Sequence, residues 1–518
     1  MLRHAFLLAA LALAATGCGG TATGGGGDAG DALGYLAADS ATVVLISTDV
    51  DGEQWEEFDK RVFRKLEEDE EADAPQTLEE YAEETAKGVG LDWENDVKPL
   101  LGNDIAVGIE GDPMAFLGSG DGDASFTAAI ETREGDVRDV FEKAGWNRVG
   151  EANGATLYGN RPGEDTFAAE DGILVFADSE GTLRRALARR DAGDGLEQDA
   201  VEEAFSDLPK EALARAFGTL DGLKTQDEFR RFADLPIVQA LETWGLTVAF
   251  QRDNLNVDLA VGLDGSKVDE ADLPLVTGDE SPEIVIRPDE MSGGNRNQSQ
   301  TTAFLLRALR AGFPDSRFVK AADAIEKELG IDFEQEILRQ FDGPSASYVS
   351  PDGKVFAARS EVSDPAALKA VLPRIAPHLP ALVEGLQGLE SEGMALLFLF
   401  APDAPAAAPM QGVTVEKPAT EDGLYRISGL TGDGPSQLYL GLVGDVFVVA
   451  SDEQRAREIA EADTSPARGA KGAGVLRADV ARIGTVLGNI LPIPGKEIVA
   501  SLEASPDELR ARVRYELD

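Results

Sequence analysis

The sequence predicts an α+β protein built as two tandem copies of one unit of helices and mostly antiparallel sheet. Three observations carry this expectation. Short β-branched apolar runs alternate with amphipathic helical stretches. Strand pairs are joined by tight turns, without the regular strand–helix–strand alternation that a parallel sheet needs. Four segments recur in the same order in the two halves of the chain.

The recurring segments set the boundaries. LAADSATVVLISTD (36–49) matches VTGDESPEIVIRPD (276–289), placing Asp39 against Asp279 and Asp49 against Asp289. GLDWENDVKPLL (90–101) matches GIDFEQEILRQF (330–341), with Phe333 in the place of Trp93. EDGILVFADSEGTLRRAL (170–187) matches VGDVFVVASDEQRAREIA (443–460), and NLNVDLAVGLD (254–264) matches ELRARVRYELD (508–518). The copies are expected at 33–265 and 266–518. Insertions such as APDAPAAAPMQG (401–412) absorb the changes in spacing.

Within the first copy, TVVLIST is a short buried strand. EQWEEFDKRVFRKLEE places Trp55, Phe58, Val62, Phe63 and Leu66 at helical spacing. TLEEYAEETAKG is a second helix, capped by Thr77 with Glu80 at the capping-box position and ending near Gly88. DIAVGIE and SFTAAIETR are strands, and EGDVRDVFEKAG is a helix with Val137, Val140, Phe141 and Ala144 on one face. ATLYG follows, then two strands around Asp171-Gly172 and a helix from Ser179. The copy closes on two strands around Asp253-Asn254, with Leu255, Val257, Leu259 and Val261 in strict alternation.

The N-terminus is set apart from the fold. Met1 to His4 is short and weakly basic, and Ala5 to Ala15 is an apolar run. At about 1.5 Å per residue that run is too short for a hydrocarbon core of ~30 Å, so it fits a signal-peptide core. Small residues then lead to Cys18, the sole cysteine. Residues 1–17 resemble a bacterial lipoprotein signal, in which the cysteine is acylated and becomes the first mature residue. The Gly-rich stretch 18–32 is expected to be a tether. More than one acyl chain on Cys18 gives a stable anchor where a single chain does not.

Composition excludes several functions. Formal net charge is −48, from 95 acidic and 47 basic residues. That field repels nucleic acid and anionic headgroups, so lipidation is the expected membrane contact. The acid-rich run 66–84 is expected to be solvated surface. With Cys18 in the anchor, the mature chain has no thiol nucleophile and one histidine, His378, between Pro377 and Pro380. A histidine-dependent triad would have to use it.

Among chemical motifs, DVDGE (49–53) and DGD (121–123) invite a calcium reading through Asp49, Asp51, Asp121 and Asp123. Neither completes an EF-hand loop, and turn chemistry explains both. Asp51 is not duplicated, since Met291 stands at the matching position. GSGDG (118–122) has the wrong charge for a phosphate cradle, and neither a Walker nor a nucleophile-elbow motif is present. Trp55, Trp93, Trp146 and Trp244 all lie in the first copy, where core packing is expected before a ligand groove.

The stretches LAADSATVVLISTDVDGEQWEEF and GLDWENDVKPLLGNDIAVGI, with the Gly-rich N-terminus, resemble a bacterial family of secreted lipoproteins, the "domain of unknown function 3352" kind common in high-GC actinobacteria. Such families open with Leu-Pro-Ala-Asp, and here Ala37 stands for the proline. The resemblance implies an extracytoplasmic, membrane-anchored protein and transfers no catalytic residues. The expected function is a non-enzymatic envelope protein that binds a ligand or partner between its copies, without a cofactor. The alternative is an extracellular hydrolase with paired carboxylates, assisted by calcium.

Overall fold

A computed structural model describes residues 29–63, 77–111, 124–133, 137–159, 166–170, 172–224, 227–275, 278, 280–287, 290–390, 412–418, 423–430, 435–468, 470–479 and 495–517. Cys18, the signal segment, Asp121, Asp123 and most of 401–412 lie outside them.

The chain is α+β, and twenty of its strands join in one antiparallel sheet. The first ten are β1 (Thr42–Ile46), β2 (Ile105–Gly111), β3 (Ala124–Glu131), β4 (Asn147–Ala152), β5 (Ala155–Gly159), β6 (Thr166–Glu170), β7 (Ile173–Ala177), β8 (Ala214–Thr219), β9 (Leu241–Gln251) and β10 (Asn254–Leu263). The second ten are β11 (Met291–Asn295), β12 (Ser345–Val349), β13 (Phe356–Glu361), β14 (Thr414–Glu416), β15 (Tyr425–Ser428), β16 (Gln437–Val443), β17 (Val446–Ala450), β18 (Gly474–Asp479), β19 (Gly495–Ala504) and β20 (Glu508–Leu517).

In space the first ten run β4-β5-β6-β7-β3-β2-β1-β8-β9-β10. The sheet continues β20-β19-β18-β11-β12-β13-β17-β16-β15-β14. Counted inward from either edge, the order is the same. β10 and β20 meet at the centre, pairing Asn254 with Glu516 through Gly262 with Glu508.

Matching segments also take matching local structure. Trp93–Val97 and Phe333–Ile337 each form a wide turn, followed by 3-10 turns at Lys98–Leu100 and Leu338–Phe341. Asp92 accepts a hydrogen bond from the Asn95 N–H and donates its own N–H to Asp96. Asp332 does the same with Gln335 and Glu336. The side chain of Ser179 caps α4 (Glu180–Ala192), and that of Asp452 caps α9 (Glu453–Ala460). In both, the cap accepts from the backbone N–H three residues on.

The first recurring segment is a correction. Its sequence match sets Thr42–Ile46 against residues 282–286, but the strand in the position of β1 is Met291–Asn295, flanked by β12 and β18. Glu283–Ile284 pairs instead with Ser465–Pro466 in a small separate ladder. Apolar β-branched character misplaced the strand. MSGGN has none, and Gly294 is required because a Cβ there would strike the Glu283 carbonyl oxygen.

Helices cover the sheet. α1 (Glu53–Phe58) lies near β9, followed by α2 (Leu78–Gly88), whose N-cap Thr77 accepts from the Glu80 N–H, and α3 (Val137–Lys143). The second half carries α5 (Gln298–Gly312), α6 (Arg317–Leu329), α7 (Pro365–Ile375) and α8 (Leu379–Glu390). The expected tether overlaps the folded body: Gly30–Tyr35 is a 3-10 turn that buries Ala32, Leu33 and Tyr35. The last hairpin of the first half turns at Arg252-Asp253, one residue earlier than expected, with Arg252 at φ 57°. Among the described residues, no helix is long and apolar enough to cross a membrane.

At the centre of the β10–β20 ladder, Asp258 faces Arg512, and Arg512 Nε donates to Asp258 Oδ1 at 2.5 Å. The carboxylate is buried, while the guanidinium is 37% exposed. Arg512→Asp therefore sets two carboxylates against each other, and we expect a loss of about 2 kcal/mol, reduced from the fully buried case by solvent on the arginine side. The swapped pair Asp258→Arg with Arg512→Asp should recover most of it in urea unfolding.

Candidate functional site

The six central strands, β8-β9-β10-β20-β19-β18, have two chemically different faces, because residues alternate across a strand. One face carries Arg215, Thr247, Asp258, Arg512 and Ser501 in a single row across the ladders. Charges there are paired: Arg215 with Asp104, Arg510 with Glu508, Arg477 with Glu497.

The opposite face is apolar across the middle of these strands. One row runs Ala214, Val248, Val257, Val513, Ala500, Leu476. The next runs Ala216, Leu246, Leu259, Ala511, Leu502, Gly474. Six strands at about 4.8 Å make this floor about 24 Å long.

Packed walls stand at both ends of the strands. On one side Phe58 of α1 makes an edge contact with Phe250 and belongs to a cluster with Leu255 and Tyr515. Gln54 fixes α1 there. Its side-chain amide donates to the Phe250 carbonyl at 2.9 Å and accepts from the Phe250 N–H at 2.7 Å. On the other side Phe304 of α5 packs with Leu263, Leu273 and Val261. Between these walls, Leu246, Val257, Leu259, Ala511 and Val513 are only half-buried and join no core cluster among the described residues. Leu476 is 41% exposed. Leaving so many aliphatic groups half-wet forgoes roughly 25 cal/mol for each Å² not buried.

The alternation on β10 was legible in sequence, and β20 shows the same pattern as Leu509, Ala511, Val513 and Tyr515 between charged residues. Alternation could not show that the two strands are neighbours, nor that their apolar sides form one floor.

The carboxylates singled out in sequence sit elsewhere. Asp49 and Asp51 follow β1 in a turn where the Gly52 N–H donates to the Asp49 carbonyl at 2.7 Å. Lys98 Nζ lies 3.5 Å from Asp51 and 3.4 Å from Glu94, so a side-chain cation already occupies this acidic corner. Burial lowers the Lys98 ammonium, but Asp51 and Glu94 outweigh it and hold it above its ordinary range. Burial lifts the Asp49 carboxyl above its ordinary range, Arg133 opposes the shift, and Asp51 adds to it. Among the described residues, no three His, Cys, Asp or Glu side chains gather to hold a metal.

His378 lies in the 3-10 turn between α7 and α8, with Nε2 3.9 Å from Glu328. Three tryptophans pack into core clusters. Trp55 donates from Nε1 to the Ser47 carbonyl, and Trp146 meets Phe167 edge-on at 4.6 Å. Only Trp244, opposite Val261, borders the apolar floor.

No family model and no curated protein matches the chain. Three crystal forms of TP0453 overlap with it at 11% identity and TM-scores of 0.26, 0.26 and 0.27. The overlaps cover 46%, 46% and 44% of this chain and 81%, 81% and 79% of theirs, and likeness at this level carries no inference.

Two measurements test the acidic corner. A carboxyl whose folded pKa exceeds its unfolded one opposes folding increasingly as pH rises through the interval between them. Asp49→Asn should therefore be more stable than the parent at pH 7, by about 0.5 kcal/mol at this half-exposed site, and equal to it near pH 3 in urea unfolding. With Lys98 in the corner, calcium at about millimolar concentration should move the melting temperature by less than about 1 °C.

Proposed function

We propose that this is a lipid-anchored, extracytoplasmic protein of the bacterial envelope. It acts without catalysis and binds its ligand on the sheet seam between two copies of one ancestral unit. The strand order, identical from both edges and meeting at β10 and β20, supports the duplication and carries the reading. It makes the seam a composite surface that neither half possesses alone, and that surface is apolar and half-open. The matched Asp92 and Asp332 turns and the matched caps of α4 and α9 agree with it. The resemblance to secreted actinobacterial lipoproteins fits the same placement, with Cys18 as the acylated residue.

The competing reading is a hydrolase with paired carboxylates. Its best candidates, Asp49 and Asp51, share their corner with Lys98 and lie away from the seam. A general acid of that kind works from a desolvated carboxyl facing a second one across a substrate. Here Asp51 is salt-bridged to lysine instead.

Cys18→Ser tests the anchor. The variant should pass from the membrane to the soluble fraction, and processing of the parent should stop under globomycin. Unchanged membrane retention of the serine variant would overturn the lipid anchor.

A further inference from the structure

We propose that the seam floor holds the hydrocarbon chain of a single-chain amphiphile whose head bears no negative charge. This deepens the reading of the seam as a binding surface and rests on it. The occupant's chemistry follows from what the floor lacks. Across the two middle rows there is neither a charged side chain nor one able to hydrogen-bond, from Val248 and Leu246 on β9 to Ala500 and Leu502 on β19.

The backbone groups of these strands are spent in their own ladders. A peptide laid across the floor would leave its N–H and C=O groups without partners, at a cost of about 1–3 kcal/mol each. A hydrocarbon chain has no such groups and gains on burial.

Shape and charge narrow the choice. The middle residues are partly shaded, with α1 packed at one end of the strands and α5 at the other. The floor's length of about 24 Å, from the strand spacing, suits an extended chain lying across the strands. Leu476, at the second-half end of one row, is the most exposed floor side chain and marks where a polar head would reach water. The net charge of −48 repels an anionic head and equally repels a second copy of this chain, which selects a head without negative charge.

The single native cysteine gives a direct test. Full-length Cys18→Ser carrying Leu259→Cys has one thiol, placed on the floor. We expect that thiol to react with N-ethylmaleimide in the folded protein, with folding checked by the urea midpoint. Mono-oleoylglycerol should slow the reaction about tenfold and give a one-to-one complex by native mass spectrometry. Val513→Cys, across the seam, should behave alike and serves if Leu259→Cys does not fold. A thiol that reacts but gains no protection from mono-oleoylglycerol overturns the amphiphile and leaves the open seam standing. A thiol that does not react in the folded protein shows a closed floor and overturns both readings. Equal protection by palmitate would overturn the exclusion of an anionic head.

Discussion

The structure depends on the pairing of β10 with β20. Among the described residues, every other ladder lies within one half of the strand order, and this one makes the two half-sheets continuous. The two strands are counterparts in the sequence match, 254 residues apart, and antiparallel pairing brings Asp258 onto Arg512, its own counterpart. When a strand pairs with its equivalent about a two-fold, the central residue meets a copy of itself. A charged residue there would face like charge, which is costly in a buried site. Asp258 and Arg512 carry opposite signs, so this ladder meets no such conflict at its centre.

The seam also separates two kinds of chemistry. On the Asp258 side, arginines and carboxylates are matched at close range, so a molecule with great excess negative charge still keeps its basic residues in defined places. On the Leu259 side the middle of the same strands is aliphatic and, among the described residues, incompletely covered. Stability needs only one of these faces to be buried well. Among the described residues, the helices of each half cover opposite ends of the other face, α1 near Phe250 and α5 near Leu263, and neither spans its middle.

Much of this fold was legible in the sequence, for identifiable reasons. The helix from Leu78 was readable because its Thr77 cap is a local signal. The β9–β10 hairpin was readable because its alternation is strict. The second, third and fourth recurring segments also locate matching elements correctly. The first fails because it was aligned by apolar content. Glu283–Ile284 looks like a strand of the main sheet, whereas Met291–Asn295 becomes one through its neighbours β12 and β18, with glycine where another backbone lies close. The candidate site was less legible. Leu259 and Val513 carry the same alternation as many half-buried strands, and only their long-range pairing turns two such patterns into one surface. The aspartates drew notice through local spacing, yet the lysine that neutralises Asp51 comes from a turn nearly fifty residues on, beyond the reach of any motif.

The separation of β10 and β20 along the chain bears on biogenesis. When the first half has formed, β10 presents an unpaired edge until some 250 further residues have been made and folded. Such an edge is a template for pairing with the wrong chain, and contacts so distant in sequence form slowly. A protein of this design should depend on holding factors during folding more than its finished stability suggests, and crowding of nascent copies would favour exchange of second halves between chains. The high like charge on every copy keeps those exposed intermediates apart for as long as the seam takes to close.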